Sequence, residues 1–427
     1  MRQDNKKNSK WTIYFLAAFL VVCLTFLIIA IYAVLEDDET VVSELTIDEE
    51  DSYLDENQQD NVWPEEPSEQ EGSQEVVITI TEDGLVLGWE ERESQIDEII
   101  ENMSLEDKVS QLFFVLTGDA ATGHPVGGVI LFSSDIIDET QLRTFNATLQ
   151  EQNPYPLFIG VDEEGGPQVA RVANSGIGVP SFPSMLEIGD TRDPFRAFKV
   201  GDTIGEYLAD LGFNVNFAPV ADVFSNPANT VIGARAFGTE AGVVSEMVVE
   251  VIRGLQGRGV SATIKHFPGH GDTYEDSHYQ LAVSHRTLEE LRAVEFLPFV
   301  AGIEEGVDMV MMGHVAVPAI TGDYTPASLS RMILQDILRD ELGFDGIVIT
   351  DAMNMGAIVN HYGAGEAAIL FLQAGGDMIL MPQNFHEARQ GVLEAIELGG
   401  LTEERIDESL RRIFRVKLEL ESELELE

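Results

Sequence analysis

Residues 346–352 read GIVITDA: a glycine, four uncharged residues suited to a strand, then Asp351, the first charge. A run that is apolar throughout, rather than alternating, marks a strand buried on both faces, as in parallel sheets covered by helices. Working outward, seven further runs share this character: QLFFVL (111–116), GGVILF (127–132), PLFIGVD (156–162), FNVNFAPV (213–220), ATIKHF (262–267), DMVMMGH (308–314) and DMILMP (377–382). Amphipathic stretches such as 286–305 and 327–342 lie between them. Eight strand–helix units in succession predict an α/β fold, a (β/α)8 TIM-type barrel forming a single catalytic domain over 91–420.

Strand after strand in this pattern ends on a polar residue: Asp162, Asn216, Lys265 and His266, His314, Asp351. In barrels of this kind the C-terminal strand ends form the face on which catalytic groups collect. One polar strand end means little; five at one face predict a site.

The densest chemistry lies in KHFPGHGDTYEDSH, residues 265–278, and four of the eight histidines fall between 266 and 285. Pro268, Gly269 and Gly271 make this a turned loop after a strand, not a helix. Asp276 lies two residues before His278, so its carboxylate can take one ring nitrogen, fix the tautomer and raise the basicity of the other. Spacing alone equally allows a metal site from His266, His270, Asp272 and His278. Asp351 can attack an anomeric carbon, or simply cap the next helix. Asp162 presents two acceptor oxygens suited to a pair of sugar hydroxyls. In NVNFAPVADV…VIGARAFG (214–238), Arg235 can hold a substituent or pair with an aspartate such as Asp222.

The chain has 427 residues, with 75 acidic against 25 basic and a formal net charge of −50. Such a field repels polyanions and argues against nucleic-acid partners. Residues 36–75 hold 17 acidic residues and no Lys or Arg. Dense charge with little apolar periodicity predicts a disordered stalk over 36–90, within which VVITI (76–80) can pair locally. Before it, 11–35 is uncharged for 25 residues, enough as a helix to span ~37 Å of a ~30 Å bilayer core. Arg2, Lys6, Lys7 and Lys10 precede that run and EDDE follows it, which predicts a cytoplasmic 1–10 segment, a transmembrane signal anchor and an extracellular catalytic domain. Cleavage of the segment would instead give a secreted protein. Residues 421–427 form an acidic tail. The single cysteine, Cys23, excludes an intrachain disulfide.

Taken together, MSLEDKVSQLF (103–113), DEEGG (162–166), NFAPVADV (216–223), VIGARAFG (231–238), KHFPGHGDTYEDSH (265–278), TDAMNM (350–355) and AGGDMILMP (374–382) resemble glycoside hydrolase family 3, in its β-N-acetylhexosaminidase branch. The resemblance covers about 92–418, and the pieces stand in the family's order. It implies Asp351 as nucleophile, His278 as the acid/base and Asp276 as its carboxylate partner. It further implies that Asp162, Arg171, Arg235, Lys265 and His266 hold a terminal N-acetylglucosamine, with no metal or other cofactor. The expected activity is retaining exo-cleavage of β-linked N-acetylglucosamine from cell-wall muropeptides or chitooligosaccharides by a monomer. Phosphorolysis on the same scaffold, or β-glucosidase action, are the alternatives; a non-catalytic glycan binder is disfavoured because nucleophile and dyad are both intact. The segment after DEEGG reads PQVAR, one residue longer than the family's usual pattern. With the given chain ending at 427, the second domain from which the family's β-glucosidases take their acid/base is not expected.

Overall fold

The computed structural model describes residues 79–80, 86–87 and 89–424. The expected 1–10 segment, 11–35 anchor and most of the 36–90 stalk lie outside these residues. From the stalk, Thr79–Ile80 pairs antiparallel with Val86–Leu87. Among the described residues no helix is long and apolar enough to cross a membrane.

Eight strands form the centre of the molecule: β1 (Phe113–Leu116), β2 (Gly128–Leu131), β3 (Phe158–Val161), β4 (Val215–Asn216), β5 (Ser261–Phe267), β6 (Met309–Met312), β7 (Ile347–Thr350) and β8 (Ile379–Leu380). They stand in the order β7-β6-β5-β4-β3-β2-β1-β8, and every neighbouring pair is parallel. Across the remaining seam, Ile349 forms a parallel bridge with Met378, and Thr350 N–H donates to the Met378 carbonyl at 3.0 Å. The sheet is therefore a nearly closed parallel barrel. Each of the eight apolar runs in the sequence contributes one strand, and their residues are buried almost without exception.

Helices cover the outside, and their sequences explain their limits. Pro194–Asp210 starts where Asp193 accepts from Phe195 N–H with Pro194 at the first position, and it buries Ala197, Val200, Ile204 and Leu208 at helical spacing. The stretch 286–305 is two helices, Leu288–Ala293 and Phe296–Glu304, rather than one. Pro298 explains the break: in a continuous helix its ring would meet the carbonyl four residues back, that of Val294, which leaves helical geometry at φ −134°. Within 327–342 a short turn, Ala327–Leu329, precedes a π-helix, Met332–Glu341. Between β1 and β2 there is only a four-residue helix, Thr117–Ala120, so the first unit departs from the regular repeat. The last helix, Glu403–Leu424, runs into the segment expected as a tail.

Inside the barrel the Phe114 ring packs edge-on against Phe217, with centroids 5.1 Å apart, and stacks on Phe158 at 6.3 Å. Glycines on β2 and β3 make the room: a Cβ on Gly128 or Gly160 would stand 2.5 or 2.6 Å from the Phe114 ring. The barrel centre is thus a packed core and not a pore.

Candidate active site

At the C-terminal strand ends, Asp162, Arg171, Arg235, Lys265, His266, His278 and Asp351 line one cavity of about 280 Å³. Asp276, the eighth residue singled out in the sequence, stands behind His278 and bonds to it. Val161 ends β3, so Asp162 is the first residue past the strand, as Asp351 is past β7. Lys265 and His266 lie near the end of β5, and Arg235 ends the short turn Gly233–Arg235.

His278 Nδ1–H donates to Asp276 Oδ1 at 2.7 Å, and the same oxygen accepts the His278 backbone N–H at 2.9 Å. One carboxylate oxygen thus fixes both the ring and its backbone, leaving Nε2 to exchange a proton. This dyad is half exposed, with side-chain accessibilities of 59% for His278 and 36% for Asp276.

Asp351 is held more tightly. Its N–H donates to the Met312 carbonyl at 2.9 Å, and its Oδ1 accepts from Ala352 N–H at 2.7 Å, which leaves Oδ2 without that bond. Burial pushes its carboxyl up, but His266, His314, the Ala352 N–H and His278 together outweigh burial and hold it below the ordinary range. His314 bonds through Nδ1 to Ser328 Oγ (2.8 Å) and through Nε2 to the Ala352 carbonyl (3.1 Å), bracing the residue next to Asp351. Burial pushes the His314 imidazole down.

The cations of the cavity are organised by Glu164. Lys265 Nζ lies 2.8 Å from Asp162 Oδ1 and 2.7 Å from Glu164 Oε1. Arg235 grips the same carboxylate with two bonds, Nε to Oε2 at 2.8 Å and Nη2 to Oε1 at 2.6 Å. Burial raises the Glu164 carboxyl, yet the charges of Arg235 and Lys265 win and hold it at about 2. Arg171 is placed by a hairpin in which Glu163–Gly165 pairs with Val169–Ala170. The register shifts between Glu163 and Gly165, and Arg171 emerges opposite Asp162, its N–H donating to the Asp162 carbonyl at 3.2 Å. Its guanidinium lies 5.4 Å from the Phe132 ring centroid, and its Nε is buried without a hydrogen-bond partner.

The residues that spacing left open as metal ligands turn to protein partners. His266 Nδ1–H donates to Asp222 Oδ2 at 2.6 Å, and His270 bonds Ser277 Oγ at 3.0 Å and Thr273 Oγ1 at 2.7 Å. Asp272 Oδ2 accepts from Ser284 Oγ at 2.6 Å. Among the described residues, no three His, Cys, Asp or Glu side chains are arranged to hold a metal ion.

Sequence reasoning passed over Glu164, Ser277, Asn354 and Met381, all of which line the cavity, and singled out His270, which lines it too, only as a possible metal ligand. Glu164 carried a usable signal: in an extended segment it shares a face with Asp162, while Glu163 points away to Tyr207 Oη at 2.7 Å. Met381 gave no such signal. It follows β8 with a left-handed φ of 45°, which is rare for a residue with a Cβ.

A family model for the glycosyl hydrolase family 3 N-terminal domain matches residues 104–416, and the chain belongs to that family. It is similar to Beta-hexosaminidase A of Pseudoalteromonas piscicida, 33% identical over 325 residues, covering 70% of this chain and 54% of that protein. It is 37% identical over 275 residues to a Beta-hexosaminidase of Stenotrophomonas maltophilia, covering 62% of this chain and 80% of the relative. Among solved structures it resembles a glycoside hydrolase family 3 β-N-acetylglucosaminidase from Paenibacillus sp. str. FPU-7, with a TM-score of 0.72 and 38% identity over 75% of this chain and 63% of the other. The chain therefore spans little more than half of the first of these relatives and well over half of the others.

Proposed function

We propose that the protein is a retaining exo-β-N-acetylglucosaminidase, removing terminal β-linked N-acetylglucosamine from cell-wall muropeptides or chitooligosaccharides. The observation that carries this reading is that Asp351, with one carboxylate oxygen spared from backbone bonds, shares a small cavity with a histidine whose other nitrogen is taken by Asp276. In the first step His278 Nε2–H gives its proton to the glycosidic oxygen while Asp351 Oδ2 attacks the anomeric carbon, and the aglycone leaves as an alcohol. In the second, neutral Nε2 takes a proton from water, the hydroxide oxygen attacks the same carbon, and Asp351 departs as a carboxylate. The depressed Asp351 carboxyl suits a nucleophile that must be ionised when substrate arrives. Asp162, Lys265, Arg235, His266 and Arg171, which line the cavity, offer acceptors and donors for sugar hydroxyls and the acetamido group. The similar proteins named as hexosaminidases support the hexosamine part of this reading. The 11–35 segment would hold the enzyme, as a monomer, on the outer side of a bacterial cell membrane.

The test compares aryl N-acetyl-β-glucosaminide with aryl β-glucoside, each with and without inorganic phosphate. Preferential turnover of the N-acetyl substrate to free sugar, indifferent to phosphate, is expected. Equal or better turnover of the glucoside overturns the hexosamine assignment, and sugar 1-phosphate as product overturns water as acceptor.

A further inference from the structure

Three successive backbone carbonyls of the loop that carries His278 are taken by one short segment beyond Asp351. Gly356 N–H donates to the His278 carbonyl at 2.9 Å, Ala357 N–H to the Ser277 carbonyl at 3.2 Å, and Asn360 Nδ2 to the Tyr279 carbonyl at 3.1 Å. Gly356 and Ala357 open the helix Gly356–Val359, so their N–H groups have no partner within it and are available to the loop. The approach is close: a Cβ on Gly356 would stand 2.4 Å from the Tyr279 carbonyl oxygen and 2.6 Å from its carbon. Only a residue without a side chain lets the two backbones meet here.

One other side chain fixes the loop at this point: Ser277 is buried and its Oγ bonds His270 Nε2 at 3.0 Å, which ties the loop to the chain leaving β5 and not to the chain around Asp351. The His278 ring is more than half exposed, and Tyr279 is 78% exposed, so neither is gripped by a core. The Asp276 bond sets the orientation of the ring relative to its own loop, not the position of the loop relative to Asp351. The backbone bonds do the latter, because they end on the same stretch of chain that leaves β7 through Asp351.

We propose that Gly356, Ala357 and Asn360 are positioning residues, forming a clasp that sets the distance between His278 Nε2 and the anomeric carbon that Asp351 attacks. The inference rests on the reading of His278 as acid/base. A proton donor must lie within hydrogen-bond reach of the leaving oxygen, so a shift of about 1 Å in the loop removes most of its contribution.

The experiment measures kcat/KM, which reports glycosylation, for two aryl N-acetyl-β-glucosaminides: one releasing 2,4-dinitrophenol, which needs no protonation, and one releasing phenol, which does. Gly356→Ala, Asn360→Ala and a reference variant, His278→Ala, are compared with the unaltered protein. Gly356→Ala is expected to lower kcat/KM for the phenyl substrate about 100-fold and for the dinitrophenyl substrate less than about fivefold. Asn360→Ala, which removes one bond from an exposed side chain, is expected to lower the phenyl substrate alone by about three- to tenfold, and it decides the matter should Gly356→Ala fail to fold. The clasp is overturned if His278→Ala shows the selective loss while these variants slow both substrates by one factor, or neither. If His278→Ala itself slows both alike, the acid/base reading falls and the clasp falls with it.

Discussion

Glu164 Oε1 lies 2.7 Å from Lys265 Nζ with both side chains almost fully buried, and the same carboxylate carries the two-bond grip on Arg235. One anion thus holds two cations in the floor of the cavity. Asp162, which Lys265 also holds, supplies the second negative charge, so the two cations and two carboxylates balance without leaving an uncompensated buried charge.

Glu164→Gln is therefore expected to cost about 3–5 kcal/mol of unfolding free energy, the range for removing one partner of a buried ion pair. Urea titration would measure it. The sign with pH follows from the depressed carboxyl: folded Glu164 keeps its charge to about 2 against an ordinary 4.5. The unfolded chain takes up that proton first, so this stabilisation is complete above 4.5 and drains away as pH falls toward 2. The variant should lack that part of the acid sensitivity.

Glu295 works in the opposite sense. It is fully buried beside the loop of Gly269, and its Oε2 has no partner. Burial lifts its carboxyl to about 7, with Arg286 opposing the rise and Asp272 adding to it. The folded state holds this proton while the unfolded state has released it, so the contribution is full below about pH 4.5 and is lost as pH climbs to about 7. Glu295→Gln should flatten the stability profile across that window and be more stable than the parent at pH 8, read from thermal melts at a series of pH values. A difference between the two proteins that does not change with pH would contradict this.

Asp276→Asn keeps the shape of the dyad but withdraws the charge from His278 Nδ1 and lets the amide favour the wrong tautomer. Turnover is expected to fall about 100-fold with KM little altered, since the group contributes to proton transfer and not to the grip on the sugar. Steady-state kinetics on an aryl N-acetyl-β-glucosaminide measures both constants.

In the barrel centre, Gly128→Ala would press a methyl to 2.5 Å of the Phe114 ring and is expected to destabilise by about 1–3 kcal/mol through overpacking. Adding Phe114→Leu should recover part of the loss, a coupling that a double-mutant cycle in urea would detect.

The strands were legible because burial on both faces forces continuous apolar runs, and GIVITDA shows the pattern in full: β7 occupies Ile347–Thr350 and Asp351 follows at its end. The break at Val294 was legible too, given attention to Pro298. For Glu164 the face it shares with Asp162 was legible but its role was not, because that depends on Arg235, 71 residues further along the chain, and on Lys265, which only barrel closure brings near. The clasp at Gly356 was hidden for the same reason, since its partners belong to a loop separated from it by two barrel strands, β6 and β7, and the helices between them. Neighbouring residues could suggest a histidine–aspartate dyad, as Asp276 and His278 did, but not what sets its distance from the nucleophile.

The central claim is that Asp351 forms a covalent bond to the sugar. Incubation with a fluorinated N-acetylglucosaminyl fluoride, which forms the glycosyl ester faster than water can release it, followed by proteolysis and tandem mass spectrometry, would test that directly. The expected result is one added sugar on the peptide spanning 346–355, localised to Asp351 and absent from Asp351→Asn. A label on any other residue, or full turnover with no label and complete activity in Asp351→Asn, would contradict the account.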